Sequence, residues 1–284
     1  MPDTLVTLGS VLEESARRLA AAGIGDARRE AALIWAARAG RGPGESVFER
    51  QRPAEPAVVE WLEAACIRRA RGEPLAYVTG RAGFRHLDLA ADSRALIPRP
   101  ETEGLVEGLL ARVRRGTAVD VGTGSGCIAL SLAAEGDFER VLAIDTSAAA
   151  LDLARSNQAG RDRAVTFIRG DLIAPLAAES ADAIVSNPPY LSEPEYAALG
   201  SDVRDWEPKA ALVSGPDGLA ATMALLDDSR RVLRPGGWLA LETDCRRAGA
   251  AAGHAAALGW TEIAVEADLF GRERYLFARR SATS

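Results

Sequence analysis

The chain has 284 residues, of which 48% are hydrophobic and 26% are charged, as in an ordinary soluble globular protein. A formal net charge of −6 argues against a protein built mainly to coat nucleic acid, although it leaves room for a local basic patch. Three widely spaced cysteines and two histidines argue against a disulfide framework and against a metal site. The start, Met1-Pro2-Asp3-Thr4, lacks the pattern of a signal peptide, and no uncharged run reaches membrane-spanning length. We therefore expect a cytoplasmic protein that does not contact a membrane.

Residues 1–74 are predicted to form a helical-bundle domain. Ser10-Val11-Leu12-Glu13 has the pattern of a capping box, and the helix that it opens is expected to end at Gly23. Further helices are expected at 26–40, around 47 and at 56–71. No strand-like alternation interrupts this region, which favours a small bundle of helices.

Residues 75–97 are predicted to be a β-hairpin linker between two domains. Leu75–Gly80 and Phe84–Leu89 have the pattern of two short strands around a turn that contains glycine. The extended segment Ala95–Glu103 follows, with two prolines around Arg99. Its charged residues are candidates to line a site, or they form only a surface turn into the next helix.

Residues 98–284 are predicted to form an α/β domain with a doubly wound, mostly parallel sheet. Five short apolar runs alternate with helices, such as Ala148–Asn157 and Leu219–Leu233. Two further segments have no helix-length gap between them, which predicts an antiparallel pair at one edge of a seven-stranded sheet. The predicted strands are 118–121, 141–144, 165–168, 183–185, 238–241, 261–265 and 274–278.

A glycine-rich loop, Gly122-Thr123-Gly124-Ser125-Gly126, follows the first of these strands. Glycines there allow a sharp turn and a close approach of the backbone to a ligand. Asp145 ends the next strand, where an acid normally binds the ribose hydroxyls of a nucleotide. Because Gly124 to Ala129 also matches the G-x-G-x-x-A fingerprint, the glycine spacing fits both NAD and S-adenosylmethionine.

Asn187-Pro188-Pro189-Tyr190 follows the fourth predicted strand. The prolines cannot donate to a sheet ladder and hold the chain extended, which predicts a rigid ledge at the carboxyl end of the strand. A side-chain amide, backbone carbonyls and a flat ring suit a planar –NH2 group, since the oxygens accept its hydrogens and the ring covers its face. Taken alone, the motif fits a proline-rich turn with a capping asparagine equally well.

Two features favour S-adenosylmethionine over NAD. Asp171 and Leu172, after the third strand, suit the edge and the face of an adenine. The ledge offers no proton relay for hydride transfer, whereas it suits a nitrogen brought to a methyl donor. The glycine loop, Asp145 and the ledge together resemble the amino methyltransferases that use S-adenosylmethionine, which methylate DNA bases or protein glutamines.

Over nearly its whole length, the sequence resembles the HemK-type release-factor glutamine methyltransferases. The stretches 72–80 and 96–103, combined with the ledge, are more specific than any single motif. Further matching positions are Asp120 to Gly126, Glu207-Pro208, Ala211-Leu212, Asp268, Gly271 and Arg274.

The resemblance implies a Rossmann-like methyltransferase domain and methylation of the glutamine in the Gly-Gly-Gln loop of peptide-chain release factors. It places the methionine part of the cofactor against Gly122 to Gly126, the ribose on Asp145, and the adenine beside Leu172. It makes Asn187, which also borders the cofactor, the acceptor of an N–H of the target glutamine. Pro188 would supply a second carbonyl, Pro189 would line the substrate site and Tyr190 would pack on the amide. The helical domain would help to dock the protein substrate.

One departure from the family pattern lies at Glu242-Thr243-Asp244, where Asp244 replaces a glycine that is able to take a positive φ, so the local turn is open to question. Three other functions stay open. A glutamine methyltransferase of a ribosomal protein is harder to exclude than a DNA adenine-N6 methyltransferase, against which the acidic charge counts. A non-catalytic module with a relic pocket is the third. We expect no direct requirement for nucleic acid.

Overall fold

The computed structural model describes residues 6–282, so the segment Met1-Pro2-Asp3-Thr4 discussed above lies outside the described residues. The chain divides into two compact units, one of Met1–Arg81 with Gly200–Trp206 and one of Ala82–Leu199 with Glu207–Ser284. The helices are α1 Leu8–Ala21, α2 Ala27–Ala39, α3 Glu45–Glu49, α4 Pro56–Ala70, α5 Leu75–Thr79, α6 Pro100–Leu110, α7 Cys127–Glu135, α8 Ala148–Gln158, α9 Glu193–Ala197, α10 Ser201–Arg204, α11 Ala220–Val232 and α12 Ala248–Ala257. The strands are β1 Arg81–Phe84, β2 Leu87–Ala90, β3 Arg115–Val121, β4 Asp137–Asp145, β5 Val165–Arg169, β6 Ala181–Ser186, β7 Leu233–Glu242, β8 Thr261–Ala267 and β9 Glu273–Arg279.

The helical unit buries one apolar side of each of α1, α2 and α4 in a common core. Leu19, Ile34 and Leu62 are fully buried there. The predicted capping box at Ser10 is wrong in position, because Thr7 is the N-cap of α1 and Ser10 is its third helical residue. The Thr7 hydroxyl accepts the Ser10 N–H at 3.3 Å, so Thr7 rather than Ser10 satisfies the free amides of the first turn.

The predicted strand at Leu75–Gly80 is also wrong, since these residues form α5. The Thr79 hydroxyl donates to the Leu75 carbonyl at 2.9 Å, and Gly80 ends the helix with a φ of +71°. A short apolar run fits a buried helix as well as a strand, because its pattern has too few residues to show a period. The hairpin of the predicted 75–97 linker is therefore confined to β1 and β2, and its turn lies at Arg85 rather than at a glycine.

The seven-stranded sheet has the order β5-β4-β3-β6-β7-β9-β8. β3 pairs in parallel with both β4 and β6, whereas β9 runs antiparallel to β7 and β8. The predicted doubly wound, mostly parallel sheet with an antiparallel pair at one edge is thus confirmed. The strand order reverses at β3, so the carboxyl ends of β3 and β6 border the crevice in which open α/β sheets bind ligands.

Both faces of the sheet are covered, as the unbroken apolar runs of its strands require. Ala118 packs in one core with Leu105 of α6, while Val119 packs in the other with Leu225 of α11. Within residues 6–282, none of the helices combines the length and the apolar character that crossing a membrane would need.

Candidate active site

A cavity of about 570 Å³ lies at the carboxyl ends of β3, β4 and β6. Its volume is in the range of ligand sites that take a small molecule. Among the residues predicted from the sequence, those that line it are Gly122, Thr123, Gly124, Ser125, Asp145, Asp171, Leu172, Asn187 and Pro189. The predicted residues Gly126, Pro188 and Tyr190 are not among the lining residues.

The glycine loop turns sharply between β3 and α7. Gly122 and Gly124 have φ angles of +69° and +55°, which favour glycine. A Cβ built on Gly122 would meet no atom within 4 Å, so open space borders the backbone there. Gly126 also has a positive φ, but its Cβ would lie 3.1 Å from the Ala154 Cβ, so this glycine allows α7 and α8 to pack closely.

Asp145 is held in place by the loops on both sides of it. Its Oδ2 accepts the Gly124 N–H and its Oδ1 accepts the Ser147 N–H, each at 2.9 Å. Each carboxylate oxygen has a second lone pair, which leaves Asp145 able to accept a pair of hydroxyl groups. The backbone of Gly170 donates to the Asp145 carbonyl at 3.1 Å and brings the end of β5 alongside.

Asp120 holds the glycine loop through hydrogen bonds at the end of β3. It is fully buried, and its Oδ2 accepts from the Thr123 hydroxyl at 2.6 Å and from the Ala129 N–H at 3.1 Å. Burial raises the pKa of Asp120 to about 7, although both hydrogen bonds favour the charged form. Asp120 thus ties the loop to the first turn of α7.

Leu172 borders the cavity from a backbone conformation that is unusual for its residue type. Its φ is +44°, one of four positive values outside glycine among the described residues. Such strain persists only where the surroundings hold it, and it concentrates at ligand sites. The next residue, Ile173, is fully buried and anchors this segment.

The Asn187-Pro188-Pro189-Tyr190 ledge begins where β6 ends. The Ser186 hydroxyl donates to the Val121 carbonyl at 2.7 Å and joins the ends of β6 and β3. The side-chain Nδ2 of Asn187 donates to the Thr102 hydroxyl at 3.0 Å. Pro188 is buried. The burial of Tyr190 raises the pKa of its hydroxyl to about 12; the charge of Glu242 adds to this rise, and the charge of Arg274 opposes it.

The segment Ala95–Glu103 also lines the cavity, through residues that include Ile97, Arg99 and Thr102. Glu207 fixes it, since one carboxylate oxygen accepts the Ile97 N–H at 3.0 Å and the other accepts from the Arg99 guanidinium at 2.5 Å. Glu207 is buried, whereas the Arg99 side chain is 32% exposed, so water reaches the arginine side of this ion pair. Of the charged residues in this segment, Arg99 borders the cavity and is also the N-cap of α6, so the segment both lines the cavity and leads into a helix.

Sequence reasoning missed the partnership of Thr102 with Glu242. The Thr102 hydroxyl donates to Glu242 Oε2 at 2.7 Å, and the two residues are 2% and 1% exposed. Burial raises the pKa of Glu242 to about 7, while the hydrogen bond from Thr102 and the charge of Arg274 oppose that rise. An acid at the end of a buried strand was the signal available in the sequence.

Asp244 does not need a positive φ, because the positive values outside glycine in the described chain are those of Arg85, Leu172, Glu179 and Glu262. Its Oδ1 accepts from the backbone N–H of Arg246 at 2.9 Å and from the Arg246 Nε at 2.7 Å. The turn after β7 therefore accommodates an aspartate by using it as a cap.

Known proteins resemble this chain in sequence and in fold. Residues 100–199 match the Methyltransferase small domain and residues 10–80 match the PrmC N-terminal domain. The release factor glutamine methyltransferase of Nitratidesulfovibrio vulgaris is 40% identical over 97% of this chain and 96% of its own length. That of Moorella thermoacetica is 41% identical over 97% of this chain and 99% of its own length.

A solved methyltransferase from Pyrococcus furiosus shares the fold, with a TM-score of 0.53 and 21% identity over 69% of this chain and 89% of that one. The curated relatives extend the likeness to both units of the chain, because the matches span nearly the full length of each protein. The chain belongs to the release factor glutamine methyltransferase family.

Proposed function

We propose that this chain transfers a methyl group from S-adenosylmethionine to the side-chain amide nitrogen of the glutamine in the Gly-Gly-Gln motif of peptide-chain release factors. The observation that carries the proposal is that Asn187 lines the same cavity as the glycine loop and Asp145. A group that suits a planar –NH2 thus borders a site that suits an adenosine. Membership of the release factor glutamine methyltransferase family supports the choice of acceptor.

The residues present fit S-adenosylmethionine. The open space beside Gly122 accommodates a close ligand, and the free lone pairs of Asp145 suit the two ribose hydroxyls. Leu172 offers an apolar face to the adenine and Asp171 an acceptor to its edge. When bound, the cofactor supplies an electrophilic methyl on a sulfonium, whose bonding electrons stay with the sulfur as the carbon joins the acceptor nitrogen.

The chain's own residues have to orient a weak nucleophile. The lone pair of a carboxamide nitrogen is delocalised, so the nitrogen attacks only when it is held in a productive geometry. Asn187 Oδ1 and the Pro188 carbonyl are assigned as acceptors for its two N–H bonds, with Pro189 beside them and Tyr190 packed against the amide plane. Orientation of this kind lowers barriers by up to about 7–11 kcal/mol in favourable systems.

No strong base is required before attack. Bond formation to carbon makes the nitrogen acidic, and it then loses one proton to water. Burial raises the pKa of Tyr190 to about 12, so its hydroxyl stays neutral and the ring acts by packing. The oxygens of Asn187 and Pro188 therefore hold the N–H bonds rather than remove a proton.

The substrate is a protein, and we assign its docking to the helical domain of residues 1–74, with the 75–97 segment linking it to the methyltransferase domain of residues 98–284. No nucleic acid is needed for recognition in this scheme. Action in the cytoplasm follows from a substrate that works in translation.

The test is incubation of the chain with S-adenosylmethionine labelled on its methyl group and, separately, a release factor, total ribosomal proteins and adenine-containing DNA. We expect label on the release factor alone, at the glutamine of Gly-Gly-Gln, as located by mass spectrometry of its peptides. A release factor with that glutamine changed to glutamate is the matched control and should stay unlabelled. Label on ribosomal protein or only on nucleobases would contradict the proposal.

A further inference from the structure

Three residues from distant parts of the chain form a hydrogen-bonded line at the edge of the cavity. Asn187 Nδ2 donates to Thr102 Oγ1 at 3.0 Å, and Thr102 Oγ1 donates to Glu242 Oε2 at 2.7 Å. We infer that Thr102 and Glu242 are positioning residues that determine which end of the Asn187 carboxamide is presented to the substrate. This inference deepens the proposed function, on which the role of Asn187 rests.

The choice of end matters because the two ends of a carboxamide have nearly the same shape but opposite hydrogen-bonding character. An asparagine that presents its oxygen accepts an N–H of the target amide, whereas one that presents its nitrogen offers a donor to another donor. The two consecutive prolines that follow Asn187 restrict its backbone, but they do not distinguish the two ends of its side chain. A partner for the other end of the carboxamide has to make that distinction.

An ionised Glu242 distinguishes the two ends of the Asn187 carboxamide through Thr102. A carboxylate only accepts hydrogen bonds, and a threonine hydroxyl has a single proton to donate. Once that proton is directed to Glu242, Thr102 Oγ1 has only lone pairs left for Asn187. Asn187 must therefore turn its –NH2 to Thr102, which leaves Oδ1 as the acceptor for the substrate.

A protonated Glu242 removes this constraint, because it is then able to donate to Thr102. The Thr102 hydroxyl is in turn free to donate to Asn187 Oδ1, and the –NH2 end then faces the substrate. Burial raises the pKa of Glu242 to about 7, so both states are accessible near neutral pH. The other charged or titratable groups that face Glu242 are Arg99, Glu101, Cys127, Tyr190, Arg274 and Tyr275.

Nuclear magnetic resonance tests the line without cofactor or substrate. The chain contains two asparagines, Asn157 and Asn187, so selective 15N-asparagine labelling gives two side-chain –NH2 groups to follow. Asn157 is an internal reference, since its Nδ2 donates to the Ser125 carbonyl at 3.0 Å and its Oδ1 accepts the Ala90 N–H at 2.7 Å, and in the described chain its side chain bonds to neither Thr102 nor Glu242.

We expect the Asn187 –NH2 resonances to titrate with a midpoint near the pKa of Glu242, and this titration to disappear in Thr102→Val and in Glu242→Gln. The Asn157 resonances should not follow that titration in any of the three proteins. Asn187 resonances that are independent of pH in the wild type, or that titrate unchanged in both variants, would overturn the inference. Because no methyl transfer is measured, this result stands even if the proposed function fails.

Kinetics with a release factor test the consequence for transfer. Thr102→Val keeps the shape of the side chain and removes the hydroxyl, and we expect kcat to fall about 10- to 100-fold. Thr102→Ser restores the hydroxyl and should lie within about threefold of the wild type, and cofactor affinity should change by less than about twofold in both variants. Thr222→Val is the matched control. Thr222 is a buried threonine of α11 whose hydroxyl has no hydrogen-bond partner among the described residues, so this substitution should leave kcat unchanged.

The pH profile separates positioning from a merely structural effect. The rate of methyl transfer by the wild type should fall as the pH drops below the pKa of Glu242. In Glu242→Gln, which has no carboxyl group to protonate at this position, the rate should fall less. Asp120, whose pKa burial also raises to about 7, is unchanged in the variant and accounts for any fall that remains. An equal loss of kcat in Thr102→Val and Thr102→Ser would overturn the inference, and so would a Glu242→Gln variant whose rate falls at low pH as in the wild type. A wild type that is inactive on release factors would contradict the proposed function instead.

Discussion

The two sides of the cavity are built in different ways. The side assigned to the cofactor comes from Gly122–Ser125 of the glycine loop, from Asp145, which directly ends β4, and from Asp171 and Leu172 just beyond β5. The side assigned to the acceptor amide joins Asn187 to Thr102, 85 residues earlier, and Thr102 to Glu242, 140 residues later. The first side follows from how a strand turns into a helix, and the second from how α6 packs against the ends of β6 and β7.

The two sides also differ in how they hold their polar groups. Asp145 is held by backbone N–H groups, which are present whatever the side chains of the loop are. The Asn187 carboxamide is held by the Thr102 side chain, and the line ends in the buried carboxyl group of Glu242, whose charge depends on pH. We therefore expect substitutions to separate cofactor binding from methyl transfer, and to make transfer the more sensitive of the two.

Asn187→Ala should have the largest effect. It removes the oxygen that is assigned to hold the target N–H, and we expect kcat to fall by about 10³-fold or more, as for other preorganised polar groups at reacting centres. Cofactor affinity, measured by calorimetry, should change by less than about threefold, because the glycine-loop side is untouched. Turnover close to that of the wild type would show that the amide-holding role is wrong.

Glu242→Gln should change how stability depends on pH. The pKa of Glu242 in the folded protein is about 7, above its usual 4.5, so between these values the folded state holds a proton that the unfolded state has lost. Stability from this group is therefore full at low pH and is lost as the pH rises towards about 7. Between about pH 5 and about pH 8, the wild type should lose about 2–3 kcal/mol of unfolding free energy relative to Glu242→Gln, as urea denaturation would measure.

Asp120 contributes a loss of the same sign in both proteins, so the difference between them isolates Glu242. Parallel stability curves for the two proteins would contradict a raised pKa for Glu242. The line to Asn187 would then not change with pH near neutrality.

Asp145→Ala should weaken cofactor binding about 10- to 100-fold, since two hydroxyl acceptors and two backbone partners are lost together. At saturating cofactor, kcat should stay within about threefold, because the acceptor side is intact. Asp152→Ala is the matched control, as Asp152 lies on α8 with a 66% exposed side chain and pairs only with Arg155 among the ion pairs of the described chain. A loss of kcat that saturating cofactor does not restore would show that the two sides are not separable.

Tyr190→Phe should have the smallest effect. The pKa of Tyr190 is raised to about 12, so the hydroxyl is not expected to take up or release a proton during turnover. Tyr190→Phe should keep kcat/KM within about threefold, whereas Tyr190→Ala should raise the KM for the release factor about tenfold through lost packing. A large loss in Tyr190→Phe would assign a chemical role to the hydroxyl.

The sequence by itself determined the order of strands and helices along the α/β unit, and it predicted the residues of the glycine-loop side apart from Gly126, which does not line the cavity. These features depend on neighbours in the chain, such as the turn at Gly122 or the acid that ends β4, and local patterns record them. The same local patterns failed at Leu75–Thr79 and at the start of α1. There, two local arrangements fit the same few residues, and the sequence pattern alone does not decide between them.

Only the tertiary structure decided the acceptor side. Asn187 was visible as part of a motif, but neither the partner of its –NH2 nor the burial of Glu242 follows from any spacing in the chain. A hydrogen bond between residues 85 or 140 positions apart depends on the packing of whole elements, which no short stretch encodes. The raised pKa of Glu242 has the same origin, because desolvation is set by everything that surrounds the carboxyl group.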